Sequence, residues 1–291
     1  MPVGYSDLTR AALDRQLSPS RSAKDFAGVL RRHQRATAAL DRAPGLVVSR
    51  DVSYGPRARE RVDLVRPAGR APIACLVYFH GGFWQEGDKA GSGFAAEALA
   101  ARGWALAAVG YTLAPDLRLR DIVQEAAAAV VHLARESGPL ELEGAPLVLS
   151  GHSAGGHLAA AVACGMGGGE ASHAVAGLVL VSGVYDLAPI AASYVNDRVG
   201  LDAAEIEALS PLTAAPVGDI PVHVLVGADE PEAFLRQSDA LIEAWGPRLS
   251  RLTSHRAPGR DHFDVLDELA DPASPTFAAM MTMAASAGGA V

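Results

Sequence analysis

The sequence predicts an α/β protein with a mostly parallel central sheet, helices on both faces and a small N-terminal helical cap. Short apolar runs alternate with longer segments of helical periodicity, which is typical of βα units that wind a parallel sheet. The middle runs are apolar throughout, as expected for strands covered on both faces. We expect one domain over residues 1–291, with a cap at 1–44, a core at 45–270 and a C-terminal helix or tail at 271–291.

The elements follow in order along the chain. Up to about Pro44 the apolar spacing is helical, and from Gly45 it changes to that of two antiparallel strands around a Gly-Pro turn. A stretch from Tyr185 to Pro216 has no predicted strand and is expected above the carboxyl ends of the strands. The further strands are predicted at Ile73 to Phe79, Ala105 to Val109, Pro146 to Leu149, Leu178 to Val181, Val222 to Val226 and Leu249 to Thr253; the helices between them are predicted at Phe94 to Arg102, Asp121 to Glu136, Ala154 to Cys164 and Phe234 to Trp245.

Composition and charge exclude several classes of protein. Hydrophobic residues make up 49% of the chain and the formal net charge is -8, with dispersed basic residues, so a nucleic-acid partner is not expected. No apolar run approaches the roughly 20 residues of a membrane span, and no signal segment is evident, so we expect no membrane partner and a cytoplasmic location. The two cysteines, Cys75 and Cys164, lack metal-ligand spacing, and no metal is expected.

A candidate nucleophile lies between a predicted strand and a predicted helix. Gly151-His-Ser-Ala-Gly matches the pattern Gly-x-Ser-x-Gly and follows the strand that ends at Leu149. Ser153 is therefore expected on a sharp strand-to-helix turn with its hydroxyl in the crevice where α/β sheets bind ligands. The alternative is a glycine-rich turn in which Ser153 only caps the helix.

A second glycine motif predicts an oxyanion hole. His80-Gly-Gly-Phe-Trp directly follows the strand that ends at Phe79, in the loop where hydrolases with this nucleophile turn place backbone donors. We assign the donors to the N–H groups of Gly82, Phe83 and Ala154. His80 is expected to hold this loop rather than to act as the base. Trp84, Phe83 and Tyr185 are expected in the substrate pocket, although Trp84 also suits an ordinary core position.

The base and the acid are predicted from chain order, because in such hydrolases the acid and then the histidine follow the serine. Of the histidines after Ser153, only His262 lies in a loop after the last strand. The acid is expected after the strand that ends at Val226, where Asp229 and Glu230 are adjacent; we favour Glu230, keep Asp229 as the alternative, and rank Asp186 third.

With these residues placed, the chain resembles the kynurenine formamidase branch of the α/β hydrolases, a neighbour of the hormone-sensitive-lipase-like esterases. The similarity runs from about Val47 to Leu269 and rests most on His80-Gly-Gly-Phe-Trp with Gly87-Asp-Lys; other segments that look like the family begin at Tyr111, Gly151, Ser182, Phe234 and His262.

The resemblance implies a nucleophile at Ser153, a base at His262 and an acid at Glu230, where many relatives have Asp. It implies a serine hydrolase that needs no cofactor and acts on a small molecule, either N-formylkynurenine or simple esters. A homodimer is an option by analogy with the family alone. A protein of this fold that only binds ligands is the distant alternative.

Overall fold

An eight-stranded sheet lies at the centre of the computed structural model, which describes residues 8–287. The parts of the predicted cap and tail at 1–7 and 288–291 lie outside the described residues. The strands are β1 (Leu46–Ser53), β2 (Arg61–Pro67), β3 (Ala74–Phe79), β4 (Trp104–Val109), β5 (Leu147–His152), β6 (Val175–Val181), β7 (Val222–Gly227) and β8 (Leu252–Ala257).

The strands lie side by side in the order β1-β2-β4-β3-β5-β6-β7-β8. β1 pairs antiparallel with β2, and β2 with β4, whereas every pair from β4 to β8 is parallel. All residues of β3, β4, β5 and β7 are buried, as the continuous apolar runs predicted. The carboxyl ends of β3 and β5 therefore meet at the middle of one sheet edge.

Helices cover both faces of the sheet, and the alternation of side chains along each strand supplies both cores. In β3, Cys75, Val77 and Phe79 belong to one apolar cluster and Ala74, Leu76 and Tyr78 to the other. The helices are α1 (Arg10–Gln16), α2 (Phe26–Ala39), α3 (Ala96–Ala101), α4 (Leu119–Arg135), α5 (Ala154–Ala163), α6 (Gly169–His173), α7 (Ala188–Ala191), α8 (Asn196–Val199), α9 (Ala203–Leu209), α10 (Glu232–Trp245) and α11 (Pro275–Ala287).

This architecture confirms the predicted fold class, with two differences in its elements. The last strand lies at 252–257 rather than 249–253, because an edge strand exposes one face and its polar residues Thr253, Ser254 and Arg256 gave no apolar run. The segment from Tyr185 to Pro216, predicted as irregular, contains the short helices α7, α8 and α9. No helix within residues 8–287 is both long enough and apolar enough to cross a membrane.

Candidate active site

Ser153 lies on a strained turn between β5 and α5. Its backbone has φ 55° and ψ -116°, a conformation that non-glycine residues rarely adopt. The turn is held from both sides, since the Ser153 amide donates to the Val181 carbonyl at 2.9 Å and the Ser153 carbonyl accepts from the His157 amide at 3.1 Å. The surrounding structure therefore maintains the strained conformation. It places Ser153 at the carboxyl end of β5.

The glycines around Ser153 allow the elbow to pack against the neighbouring strand. A Cβ on Gly155 would overlap the carbonyl oxygen of Phe79 at the end of β3, and a Cβ on Gly151 would overlap the carbonyl oxygen of Gly155. Both obstacles are backbone atoms, which cannot move without displacing the sheet or the helix.

We therefore expect Gly155→Ala to lower the free energy of unfolding by at least about 2 kcal/mol, since overpacking against backbone leaves no cheap relaxation. Gly169→Ala is the matched control, because a Cβ at this position in α6 meets only His173 at 4.0 Å. Thermal or denaturant unfolding of the two variants measures the difference. Equal stabilities would show that the elbow tolerates the extra methyl group.

The loop after β3 has the backbone geometry of a donor site. Gly82, Phe83 and Trp84 have φ values of 114°, 47° and 57°, and the Gly82 carbonyl accepts from the amides of Gln85 and Glu86. Within residues 8–287, the amides of Gly82, Phe83 and Ala154 donate to no acceptor in the protein. Gly82 and Phe83 line the same cavity as Ser153, and Ala154 directly follows Ser153, so their N–H groups are the candidate donors for a developing oxyanion.

His80 holds this loop. Its Nδ1 lies 2.8 Å from the Gly81 carbonyl oxygen, its ring stacks on Tyr111, and the Tyr111 hydroxyl donates to the His80 carbonyl at 2.8 Å. Burial lowers the pKa of His80 to about 4, so the ring is neutral near pH 7. These contacts match the expectation that His80 positions the loop.

Glu230 and His262 form a buried carboxylate–imidazole pair. Glu230 Oε2 lies 2.6 Å from His262 Nδ1, and both side chains are at most 3% exposed. The other oxygen, Oε1, accepts from the Ser182 hydroxyl at 2.5 Å and the Gly227 amide at 2.7 Å. The carboxylate is thus held at both oxygens, in an arrangement that can orient the imidazole ring.

The two other candidate acids have different partners. Asp229 lies on the surface, where its Oδ2 accepts from Lys24 Nζ at 2.6 Å, and both side chains are about half exposed. Asp186 Oδ1 accepts from the amide of Ala188, the first residue of α7, at 2.9 Å. The structure therefore brings Glu230, and not Asp229 or Asp186, to His262.

The remaining histidines after Ser153 make contacts of an ordinary kind. His157 Nε2 donates to the Leu209 carbonyl, and His173 Nδ1 donates to the Gly169 carbonyl. His223 lies between the hydroxyls of Thr253 and Thr276, and His255 lies 3.8 Å from Glu268. Among the described histidines that follow Ser153, only His262 lines the cavity, and it has the Glu230 carboxylate behind it.

A cavity of about 500 Å³ contains Ser153 and His262 together with Gly81, Gly82 and Phe83. This volume lies in the usual range for small-molecule sites. Helix α2 supplies one wall through Phe26, Val29, Leu30 and His33, so the predicted N-terminal cap is part of the site. Further lining residues are the aromatic side chains Tyr78, Phe94, Tyr194 and Phe263.

The pocket prediction for Trp84 and Tyr185 differs from the structure. Both side chains are fully buried, and neither lines the cavity. Trp84 packs edge-on against His157. The ring of Tyr185 lies against Gly183 in the loop that follows β6. Phe83, which was also expected in the pocket, does line the cavity.

Sequence reasoning missed three contributors to the site. Ser182 donates to Glu230, and the sequence indicated it only as the first residue of a segment that resembles the family. His152, the variable residue of the Gly-x-Ser-x-Gly pattern, donates from Nε2 to the His262 carbonyl at 2.7 Å. Gln237 accepts from the amides of Tyr185 and Asp186 and so supports the loop under Glu230.

Together, the fold and the site define an α/β hydrolase whose strained serine shares a cavity with a carboxylate-bound histidine and unpaired backbone donors. Comparison with known proteins agrees. A family model described as alpha/beta hydrolase fold matches residues 76–265. The kynurenine formamidase of Danio rerio is 33% identical over 283 residues, which cover 92% of this chain and 94% of that protein. The chain belongs to the α/β-hydrolase fold family, in its kynurenine formamidase-like group.

Solved structures show the same architecture. A candidate thioesterase from Silicibacter sp. tm1040 is 32% identical, covers 92% of this chain and 98% of its own, and superposes with a TM-score of 0.80. Esterase B from Lactobacillus rhamnosis is 21% identical, covers 97% of each chain and gives a TM-score of 0.71. The second similarity concerns the fold alone.

Proposed function

We propose that this protein is a serine hydrolase that cleaves formamides or esters of small aryl compounds, with N-formylkynurenine as the leading candidate substrate. The observation that carries the proposal is the buried Glu230–His262 pair in the same cavity as the strained Ser153. The 33% identity to a kynurenine formamidase over nearly the whole chain supports the choice of a formamide.

The proposed reaction has two steps of acyl transfer. Ser153 Oγ attacks the formyl carbon while His262 Nε2 takes the hydroxyl proton, and the oxyanion accepts from the amides of Gly82, Phe83 and Ala154. Collapse breaks the C–N bond, and the departing aryl amine takes the proton from His262. Water then attacks the formyl-serine ester, with His262 again as base, and releases formate.

The cavity suits an aromatic leaving group. Phe26, Phe83, Phe94 and Tyr194 line it, and aromatic rings favour offset or edge-on packing with other rings. An aryl formamide or aryl ester would therefore bury its ring against apolar side chains.

One observation favours a second candidate, hydrolysis of uncharged esters. Within the described residues, no lysine or arginine lines the cavity, and its two ionisable acids are Glu86 and Asp88. The imidazole of His33 is engaged with Asp267, with Nε2 and Oδ1 2.9 Å apart. The α-carboxylate of N-formylkynurenine would thus find no cationic partner in the lining, whereas a neutral ester needs none.

A substrate panel separates the two candidates. We expect measurable turnover of N-formylkynurenine, formanilide and p-nitrophenyl acetate, with each kcat/KM divided by the rate constant of uncatalysed hydrolysis to remove intrinsic reactivity. A normalised value at least about tenfold higher for the two formamides than for the ester supports the formamidase. The reverse order supports the esterase, and no turnover of any member contradicts the proposed function.

A further inference from the structure

His152 lies where three parts of the site meet. It is the last residue of β5, directly before Ser153, and only 5% of it is exposed. Its ring centroid lies 4.5 Å from that of His262 and 6.2 Å from that of Phe263. A Cβ on Gly81 would lie 2.8 Å from His152 Nδ1 and 3.4 Å from the Ser153 Cβ, so the same ring also borders the oxyanion loop.

The hydrogen bond to His262 determines the tautomer of His152. A carbonyl oxygen only accepts, so the 2.7 Å contact with the His262 carbonyl requires the proton on His152 Nε2. The bond joins the nucleophile elbow after β5 to the loop after β8, although β6 and β7 lie between these strands in the sheet. Within residues 8–287, the His262 carbonyl accepts from no other group.

We propose that His152 is a positioning residue that sets the His262 imidazole relative to Ser153 through its hydrogen bond to the His262 backbone. This inference rests on the proposed function, because it requires His262 to be the base for Ser153. The Glu230 carboxylate fixes His262 from the Nδ1 side, and His152 fixes its main chain, so the ring is held at two points. A displacement of about 1 Å at such a ring costs on the order of a hundredfold in rate.

The charge state of His152 suits this task. Burial, together with the nearby His262, holds the pKa of His152 well below its usual range, so the ring stays neutral near pH 7. A neutral His152 keeps its Nε2 proton for the carbonyl and adds no positive charge beside His262 when that ring takes the serine proton. The hydrogen bond is therefore available in both steps of the reaction.

Two substitutions of equal length test the proposal. In His152→Gln the amide nitrogen is as many bonds from Cα as Nε2 of histidine, so the donor is retained, whereas His152→Met has a methyl group there. We expect His152→Met to lower kcat about tenfold or more with KM changed less than about threefold, and His152→Gln to keep kcat within about threefold of the wild type. His152→Leu serves as a second variant without a donor.

His223→Met is the matched control, because His223 is equally buried in β7 and hydrogen-bonds to two threonines outside the cavity. It is expected to lose stability and keep kcat. The inference is overturned if folded His152→Met or His152→Leu has wild-type kcat, or if His152→Gln is as slow as His152→Met. If Ser153→Ala is inactive in the same assay, the proposed function stands. Hydrolysis that survives Ser153→Ala overturns the proposed function and this inference together.

Discussion

Replacing Ser153 with alanine is expected to abolish hydrolysis. The variant loses the nucleophile but keeps the backbone donors and the cavity, so the expected fall in kcat is on the order of 10³-fold to 10⁶-fold. Covalent labelling by a fluorophosphonate, which reacts with an activated serine, should be lost completely. Steady-state assays with the best substrate of the panel and mass spectrometry of the labelled protein measure the two effects.

Ser238→Ala is the control for this experiment. The Ser238 hydroxyl in α10 is buried, has no hydrogen-bond partner within residues 8–287 and does not line the cavity, so its removal should leave both kcat and labelling unchanged. Labelling or turnover that persists in Ser153→Ala would assign the chemistry to another residue. If the folded wild-type protein is not labelled by the fluorophosphonate and hydrolyses no substrate of the panel, the alternative of a protein of this fold that only binds ligands is favoured.

The second large effect is expected at Glu230. Glu230→Gln keeps the size of the side chain but removes the negative charge that faces His262 Nδ1, and the new amide can donate where the ring also donates. Loss of the carboxylate from a serine–histidine–acid site lowers kcat by on the order of 10²-fold to 10⁴-fold, largely through the wrong imidazole tautomer. We expect KM to change little, since Glu230 is fully buried and does not line the cavity.

Asp229→Asn provides the comparison, because the two acids are adjacent in sequence. It removes a solvent-exposed ion pair with Lys24, which contributes little to stability, and kcat should stay near that of the wild type. Parallel kcat and KM measurements on both variants decide between the acids. A larger loss of kcat in Asp229→Asn than in Glu230→Gln would move the acid to Asp229.

The features that local patterns encode could be predicted from the amino-acid order. The alternation of apolar runs and helical segments predicted the layered fold, because backbone periodicity reflects which faces of each element are buried. Glycines at 82, 151 and 155 marked two tight loops, because only residues without a Cβ fit where main chains approach this closely. Chain order then selected His262, since each loop at the carboxyl edge of the sheet follows one particular strand.

Features that depend on the direction of a side chain, or on contacts between distant residues, became visible only in the three-dimensional structure. Asp229 and Glu230 are both acidic and are adjacent in the chain. Asp229 nevertheless pairs with Lys24 at the surface, whereas Glu230 contacts His262 in the interior. Two further features join residues more than a hundred positions apart. Helix α2 forms a wall of the cavity that contains Ser153, and His152 hydrogen-bonds to the His262 carbonyl. The full burial of Trp84 and Tyr185 was likewise not predictable. A periodic pattern indicates which face of an element is buried, but not which of the buried side chains line a cavity.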